Sequence, residues 1–346
     1  MKRTTKAALA AALLSVSLAG PVAAGPYEDA MAAAKRGDYA AAITLWRPLA
    51  DQGDRDARFL LGSMYAAGKG VPQDYAEAAK WYRLAADQGE SLSQFFLGVM
   101  YSNGQGVPQD YAQAVKWYRL AAEQGDADAQ NNLALRYSNG QGVPQDYAEA
   151  VKWWRRAADQ GFPDAQYNLG VRYDNGQGVA QDYAEAVKWW RLAADQGVAR
   201  AQYNLGVMYT GGQGVPQDYA EAVKWYRLAA DQGLPDAQNN LALRYANGQG
   251  VPQDYSQAVK WYRLAADQGF AAAQYNLALR YDNGQGVPQD YVQAHKWYSL
   301  AAIRFPASGK QNRDLAIKNR EIVAAKMTAT QIAEAQRLAR EWKPKA

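Results

Sequence analysis

Seven tryptophans recur at a spacing of 36 residues, with no insertion or deletion between them. They are Trp81, Trp117, Trp153, Trp189, Trp225, Trp261 and Trp297. A fixed period between about 20 and 50 residues is the sequence signature of a solenoid, a propeller or another repeat array. We therefore divide residues 54–305 into seven units of 36 residues and treat the flanking segments separately.

Each unit carries two helical patterns. In the third unit, Ala129, Leu133 and Tyr137 recur at i, i+4 and i+8, and a second apolar stripe runs from Tyr147 to Ala158. This spacing places apolar side chains on one face of an α-helix. The units lack the period-two alternation of β-strands. The sequence therefore predicts an all-α fold of helix-turn-helix pairs, with the large aromatic residues packed inside and between repeats.

The turn between the two helices is rich in glycine, which raises the alternative of a phosphate-binding loop. A dinucleotide loop requires a preceding strand and a third glycine, and a P-loop requires Gly-Lys-Ser/Thr; the units contain neither motif. Gly140 instead suits the left-handed position that ends a helix. Asp146 then begins the second helix, with Glu149 three residues later. All seven units repeat this Asp-x-x-Glu/Gln pattern, which predicts reciprocal N-terminal capping. We expect no bound cofactor.

The repeated unit, as in residues 165–197, combines a first-helix A-x-x-x-L-G/A-x-x-Y, a G-x-G-V-x-x-D-Y turn and a second-helix A-x-K-W-Y/W-x-x-A-A. It resembles the Sel-one-like repeat, a relative of the tetratricopeptide repeat, over all seven units. This resemblance implies a right-handed α/α superhelical solenoid that serves as a scaffold for protein interactions. It also implies that the repeats carry no catalytic residues.

The N-terminal segment has the pattern of a secretory signal peptide. Lys2, Arg3 and Lys6 precede an apolar run, and Val22-Ala23-Ala24 forms a small-residue cleavage site. We expect cleavage after Ala24 and a periplasmic or secreted location, with no insertion of the mature chain in a membrane. Removal of residues 1–24 lowers the net charge from +4 to +1.

Composition excludes several classes of function. The chain has no cysteine, so disulfides, thiol nucleophiles and cysteine metal ligands are absent. His295 is the single histidine, replaces a valine of other units and is expected to be a half-exposed helix residue; alone it suggests neither a metal site nor a catalytic triad. We find no basic stripe that would bind nucleic acid. We predict no catalytic, cofactor-binding or metal-binding residues, and no enzyme.

The ends differ from the repeats. Residues 25–53 are predicted to form a capping helical hairpin, and residues 306–346 are predicted to form capping helices that carry a net charge of +5 after Phe305. Thr328 and Gln331 have the spacing of a capping box, followed by an apolar stripe that ends at Trp342. A solvated surface is the simpler interpretation of the basic tail.

A candidate partner-binding track lies on the face of each first helix opposite its core residues. In the third unit this face includes Asn131 and Leu135. In tetratricopeptide-like superhelices this face lines the concave groove. The residues at these two positions in the seven units are Phe59, Phe95, Asn131, Tyr167, Tyr203, Asn239 and Tyr275 at the first, and Ser63, Val99, Leu135, Val171, Val207, Leu243 and Leu279 at the second. They either line a groove for a partner or fill the seam between adjacent first helices.

We expect an extracytoplasmic, non-enzymatic scaffold that binds a peptide segment or a protein partner in this groove. Two alternatives of other classes remain. One is an envelope enzyme acting on cell-wall or β-lactam material, and the other is a glycan-binding module that uses exposed tyrosines such as Tyr167, Tyr203 and Tyr275.

Overall fold

A computed structural model describes residues 25–345, so the predicted signal peptide at 1–24 lies outside the described residues. Within 25–345 there are eighteen α-helices, one 3₁₀ turn at Ala307–Gly309 and no β-strand. In this part of the chain no helix combines the length and apolarity needed to cross a bilayer. The prediction of an all-α fold of repeated helix pairs is confirmed.

Every repeat consists of a first helix, a glycine turn and a second helix. The first helices are α3 (Arg55–Ala67), α5 (Ser91–Asn103), α7 (Ala127–Asn139), α9 (Pro163–Asn175), α11 (Ala199–Gly211), α13 (Pro235–Asn247) and α15 (Ala271–Asn283). The second helices are α4 (Tyr75–Ala86), α6 (Tyr111–Glu123), α8 (Tyr147–Asp159), α10 (Tyr183–Asp195), α12 (Tyr219–Asp231), α14 (Tyr255–Asp267) and α16 (Tyr291–Arg304). Flanking helices are α1 (Pro26–Lys35), α2 (Tyr39–Asp51), α17 (Lys310–Ala324) and α18 (Ala329–Glu341).

The helices form two compact units. The first contains the described residues up to 165 together with 177–180, and the second contains 166–176 and 181 onward. In the first unit, each helix from α1 to α7 packs against the next one along the chain, ending with the contact of α7 with α8. In the second unit the same order continues from α10 to α17, and α18 packs on α16.

An aspartate begins each second helix, as the sequence predicts. The Asp74 carboxylate accepts hydrogen bonds from the backbone N–H groups of Ala76 and Glu77, and Asp110, Asp182 and Asp218 accept the same two bonds. Asp146, Asp254 and Asp290 accept only the bond from the residue three positions later. The reciprocal half of the predicted capping is wrong for these seven helices, since none of their Glu or Gln side chains bonds back to the backbone of the aspartate. In four of them the glutamate instead binds the lysine three residues later, as in the 2.9 Å contact of Glu149 with Lys152. The ion pair replaces the backbone contact because Lys lies within reach on the same helix face. A reciprocal capping box does form between Thr328 and Gln331.

The two glycines of each turn have different structural roles. Gly140 ends α7 in the left-handed conformation, at φ 64°. Gly142 also has a positive φ, 76°, and it lies so close to the preceding repeat that a Cβ here would be 2.3 Å from the carbonyl carbon and oxygen of Tyr111. Only glycine permits this approach of two backbones. The turn thus packs directly against the start of the second helix in the preceding repeat.

The second-helix aromatics form the core, as predicted. Six of the seven periodic tryptophans are buried and Trp225 is half-buried. The aromatic residue that follows the tryptophan packs against a small residue of the first helix. In the fifth repeat, a Cβ on Gly206 would lie 2.5 Å from the ring of Tyr226. The helix axes therefore approach closely because these positions are occupied by glycine or alanine.

Polar side chains connect one repeat to the next. The Arg191 guanidinium donates a hydrogen bond to the hydroxyl of Tyr209 and lies 6.0 Å from the centre of the Trp225 ring. A second series joins glutamines, as where Gln232 Nε2 donates to Gln202 Oε1 at 2.8 Å and to the Gly197 carbonyl at 3.0 Å. The Arg–Tyr contact recurs between other repeats within each unit, as from Arg83 to Tyr101 and from Arg227 to Tyr245.

Candidate binding surface

In the first unit, the candidate track is largely part of the protein interior. Phe59 and Phe95 are buried, and their rings lie 6.0 and 6.1 Å from those of Tyr82 and Tyr118. The stacked ring of Phe96 lies 6.3 Å from that of Phe59. These distances are typical of aromatic pairs in a core. These two phenylalanines therefore fill a seam rather than line an open surface.

Asn131 occupies the same position in the third repeat and contributes a polar side chain to this seam. Its side chain is buried, and its Oδ1 accepts a hydrogen bond of 3.0 Å from Trp154 Nε1. The expectation that this side chain points away from the core is wrong, because the large indole of the second helix reaches across to it. Val99 and Leu135, one turn further along their helices, are only partly buried.

In the second unit, most of the track remains partly exposed. Tyr167, Tyr203 and Tyr275 are partly buried, as are Val171, Val207, Leu243 and Leu279, whereas Asn239 is buried. The Tyr203 ring contacts Tyr226 at 6.0 Å between centroids. Burial raises the pKa of Tyr203, and Asp236 raises it further, while the hydrogen bond with Asn240 opposes the shift. Tyr203 thus has one surface against the core and one toward solvent.

A row of asparagines runs beside the track, and our sequence reasoning did not single it out. Asn276 Nδ2 donates to Asn239 Oδ1 at 3.0 Å, and Asn239 Nδ2 donates to Asn240 Oδ1 at 3.3 Å. Asn204 is partly exposed at the same position of the fifth repeat. The sequence contains a pattern that indicates this row, because asparagine occupies the same position in units three to seven. These residues are Asn132, Asn168, Asn204, Asn240 and Asn276. Side-chain amides both donate and accept, as a peptide backbone does.

The C-terminal end of the track is covered by α17. Asn319 Nδ2 donates to the hydroxyl of Tyr275 at 3.0 Å, and Tyr275 also packs on Tyr298 at 5.6 Å. His295 is buried too, at 4% exposure, so the expectation of a half-exposed histidine is wrong. The reason is that α17 packs on α16. Burial lowers the pKa of His295, and the positive charge of Arg320 adds to this effect.

These features define what the surface can do chemically. The partly exposed part of the track in the second unit combines phenol rings, aliphatic side chains and amides, which together suit contact with another polypeptide. Within residues 25–345, we find no group of three or more His, Asp or Glu side chains arranged to hold a metal ion.

Comparisons with known proteins agree with the repeat architecture. The family model described as "Sel1 repeat" matches seven consecutive segments, at 55–90, 91–126, 127–162, 163–198, 199–234, 235–270 and 271–304. A search of curated proteins finds no match to this chain.

Two solved structures are similar over most of their length. A Sel1 repeat protein from Oxalobacter formigenes is 33% identical, with a TM-score of 0.65, over 88% of this chain and 98% of that chain. A protective antigen present in uropathogenic Escherichia coli strains, which displays an SLR fold, is 29% identical with a TM-score of 0.54, over 92% of this chain and 91% of the antigen. The seven matched segments and these similarities show that the chain belongs to the Sel1 repeat family.

Proposed function

We propose that this protein is an extracytoplasmic, non-catalytic scaffold that binds a peptide segment or protein partner on the first-helix track of its second unit. Sel1 repeat proteins are generally protein-interaction scaffolds without catalytic function. The observation that carries the proposal is the partial exposure of Tyr167, Val171, Tyr203 and Val207, which the core of the unit does not bury. Apolar and aromatic groups left at a surface mark interaction sites.

The neighbouring amides support a polypeptide as the occupant. A bound chain in an extended conformation presents backbone N–H and C=O groups that need hydrogen-bonding partners when they leave water. Asn204 and Asn240 lie beside the tyrosines and offer both kinds of group. The rings would contribute apolar contact area, and the amides would select the backbone direction and register.

The extracytoplasmic location rests on the sequence pattern of residues 1–24. The location is tested by cell fractionation followed by N-terminal sequencing of the native protein. We expect the mature chain to begin at Gly25 in an envelope or extracellular fraction, and an intact Met1 in the cytoplasmic fraction would contradict the proposal.

Site-specific photo-crosslinking tests the binding surface. A photoreactive residue at Val207 should form a crosslink with a partner in native envelope extract, and one at the exposed Ala220 of α12 should not. The double variant Tyr167→Ala/Tyr203→Ala should lose the Val207 crosslink while its circular dichroism stays that of the wild type. Equal crosslinking at both positions, or no effect of the double variant, would rule out this surface.

The alternatives predict different results in simple assays. An envelope enzyme of the β-lactam or peptidoglycan type would be labelled covalently by a fluorescent penicillin or would hydrolyse cell-wall fragments. A glycan-binding module would retain soluble peptidoglycan fragments through the same tyrosines. Either result, abolished by a single substitution, would replace the scaffold proposal.

A further inference from the structure

Five second helices expose a leucine, three residues after the tryptophan of the repeat. The exposed fractions lie between 36% and 48% for Leu84, Leu120, Leu192, Leu228 and Leu264. Leu300 has the same position in the last repeat and is 2% exposed. Since the helix around Leu300 has the same pattern of residues, its burial must come from an element that covers it.

The covering element is α18, which packs on α16 and contributes Ala339 and Trp342 to the hydrophobic cluster that contains Leu300. The ring of Trp342, at the end of α18, contacts the edge of Trp297 at 6.2 Å, and the Arg304 guanidinium lies 4.2 Å from the centre of the Trp342 ring. Trp297, Leu300 and Arg304 are spaced i, i+3 and i+7, so they form one strip along α16. Leu300 therefore lies beneath the C-terminal helix.

The chain that follows α18 also contacts the preceding repeat. The Lys345 backbone N–H donates to the Asp267 carbonyl at 2.8 Å, and Lys345 Nζ lies 2.7 Å from Asp267 Oδ2. The Trp342 ring lies beside Gly269, where a Cβ would be 3.7 Å from the indole. We call the surface beneath α18 its seat. It consists of the strip on α16 and the Asp-x-Gly segment that ends α14, the second helix of the preceding repeat.

The same residues recur in the second unit, where the leucine is left uncovered although Trp261 is itself buried, at 6% exposure. Trp261 and Leu264 on α14 correspond to Trp297 and Leu300, and Asp231 and Gly233 at the end of α12 correspond to Asp267 and Gly269. One repeat earlier the seat is formed by Trp225, Leu228, Asp195 and Gly197. One residue differs, since Gln268 replaces Arg304 and its amide bonds the Gly233 carbonyl at 3.0 Å. The leucine and the acidic group of the seat are retained.

We propose that the seats around Leu84, Leu120, Leu228 and Leu264 bind an amphipathic helix of a partner protein with the chemistry of α18. That chemistry is an apolar stripe, a tryptophan at the C-terminal end and a lysine three residues later. The intramolecular contact of α18 shows which groups such a seat accepts. The surface is distinct from the first-helix track, so this proposal does not depend on the proposed function.

The occupant is a partner helix and not α18 of a second copy. Exchange of α18 between copies would uncover Trp297 and Leu300 in the donor while it covers Leu264 in the acceptor, so no contact area would be gained. A partner helix adds contact area at no such loss.

In the first unit, Leu84 and Leu120 mark two seats of the same composition, each preceded by an Asp-x-Gly helix end.

A peptide of residues 328–345, labelled with a fluorophore, is a suitable probe for titration against the full chain by fluorescence anisotropy. We expect saturable binding. It should weaken about tenfold or more when Leu84, Leu120, Leu192, Leu228 and Leu264 are all changed to serine, because buried apolar anchors dominate such contacts. A control with Ala76, Ala112, Ala184 and Ala220 changed to serine, at exposed positions of the same helices, should bind as the wild type does. Peptides with Trp342→Ala or Lys345→Ala should also bind more weakly.

Several outcomes would overturn the proposal. Equal binding to the wild type and the leucine variant would mean that the peptide only displaces α18 from its own seat. Self-association that depends on the leucines, detected by sedimentation velocity, would make the occupant a second copy. If the variant with five substitutions does not fold, as judged by circular dichroism, Leu228→Ser and Leu264→Ser are tested singly; each must reduce the number of peptides bound, and unchanged stoichiometry would refute the proposal.

Discussion

Replacement of Gly142 by alanine should destabilise the fold much more than replacement of Gly161, although both glycines have a positive φ. The values are 76° for Gly142 and 85° for Gly161. A left-handed conformation costs an alanine roughly 1–2 kcal/mol relative to glycine. The lower chain entropy of an unfolded alanine variant offsets a part of this cost. Both terms are nearly the same in the two variants and cancel in the comparison.

The difference arises from the surroundings of the added methyl group. At Gly161 a Cβ would meet no atom within 4 Å, whereas at Gly142 it would lie 2.3 Å from the backbone of Tyr111 and 2.7 Å from the Ala112 nitrogen. Real Cβ contacts are rarely closer than 3.4 Å, so the turn and the start of α6 must separate by about 1 Å. Overpacking of this kind costs roughly 1–3 kcal/mol. We expect a total of about 2–5 kcal/mol for Gly142→Ala against about 1–2 kcal/mol for Gly161→Ala.

Urea denaturation measures this difference through the midpoints and slopes of the two variants. Stacked repeats interact mainly with their neighbours, so the effect of a substitution is expected to be local. Hydrogen exchange at residues 111–113 and 140–147 therefore complements the urea measurement. Exchange should increase there in Gly142→Ala and stay unchanged in Gly161→Ala. Equal destabilisation by both substitutions would show that the close approach of the two backbones is not what requires glycine at 142.

Three further predictions concern stability. Trp153→Ala should lower the free energy of unfolding by about 3–5 kcal/mol, because it removes a buried indole whose Nε1 donates to Glu149 at 3.1 Å; an unchanged thermal transition would contradict this. Arg191→Met should cost about 1–2 kcal/mol through loss of the contacts with Tyr209 and Trp225, and Arg191→Lys should restore little of it, as urea midpoints would show. Burial raises the pKa of Asp126 to about 6 from an ordinary 3.8, so the folded state holds this proton more tightly and stability falls as the pH rises from about 4 to about 6. Asp126→Asn keeps an acceptor for the Ala129 N–H and should flatten that fall; an identical pH profile would refute the assignment.

Local interactions made much of the fold predictable. The capping aspartate of a second helix acts on backbone groups two or three residues away, as Asp74 does on Ala76 and Glu77. The left-handed glycine acts within the same turn, and the apolar stripe of a helix repeats every three or four residues. For this reason the helix pairs, their ends and the capping box at Thr328 could be read from residues that are close in sequence.

The candidate surface was harder to predict, because burial on a helix face depends on what packs against it. Phe59 and Tyr203 hold the same position in their repeats, and the sequence predicted one track for both. Phe59 is buried between Tyr82 and Phe96, whereas Tyr203 keeps a surface toward solvent. Phe96 of the next repeat covers Phe59, whereas the matching neighbour of Tyr203 is Asn240 of the sixth repeat, so an aromatic ring closes the seam in the first case only.

The sequence by itself determined the repeat, its all-α character, the family and the positions where helices begin and end. Only the tertiary structure decided which of several equivalent side chains are covered. Leu264 and Leu300 share their local sequence, yet one is 43% exposed and the other 2%. His295 is buried by α17, which lies fifteen residues further along the chain at its start. The physical reason is range: capping and helical periodicity act over a few residues, whereas burial depends on distant segments that meet only after the chain has folded.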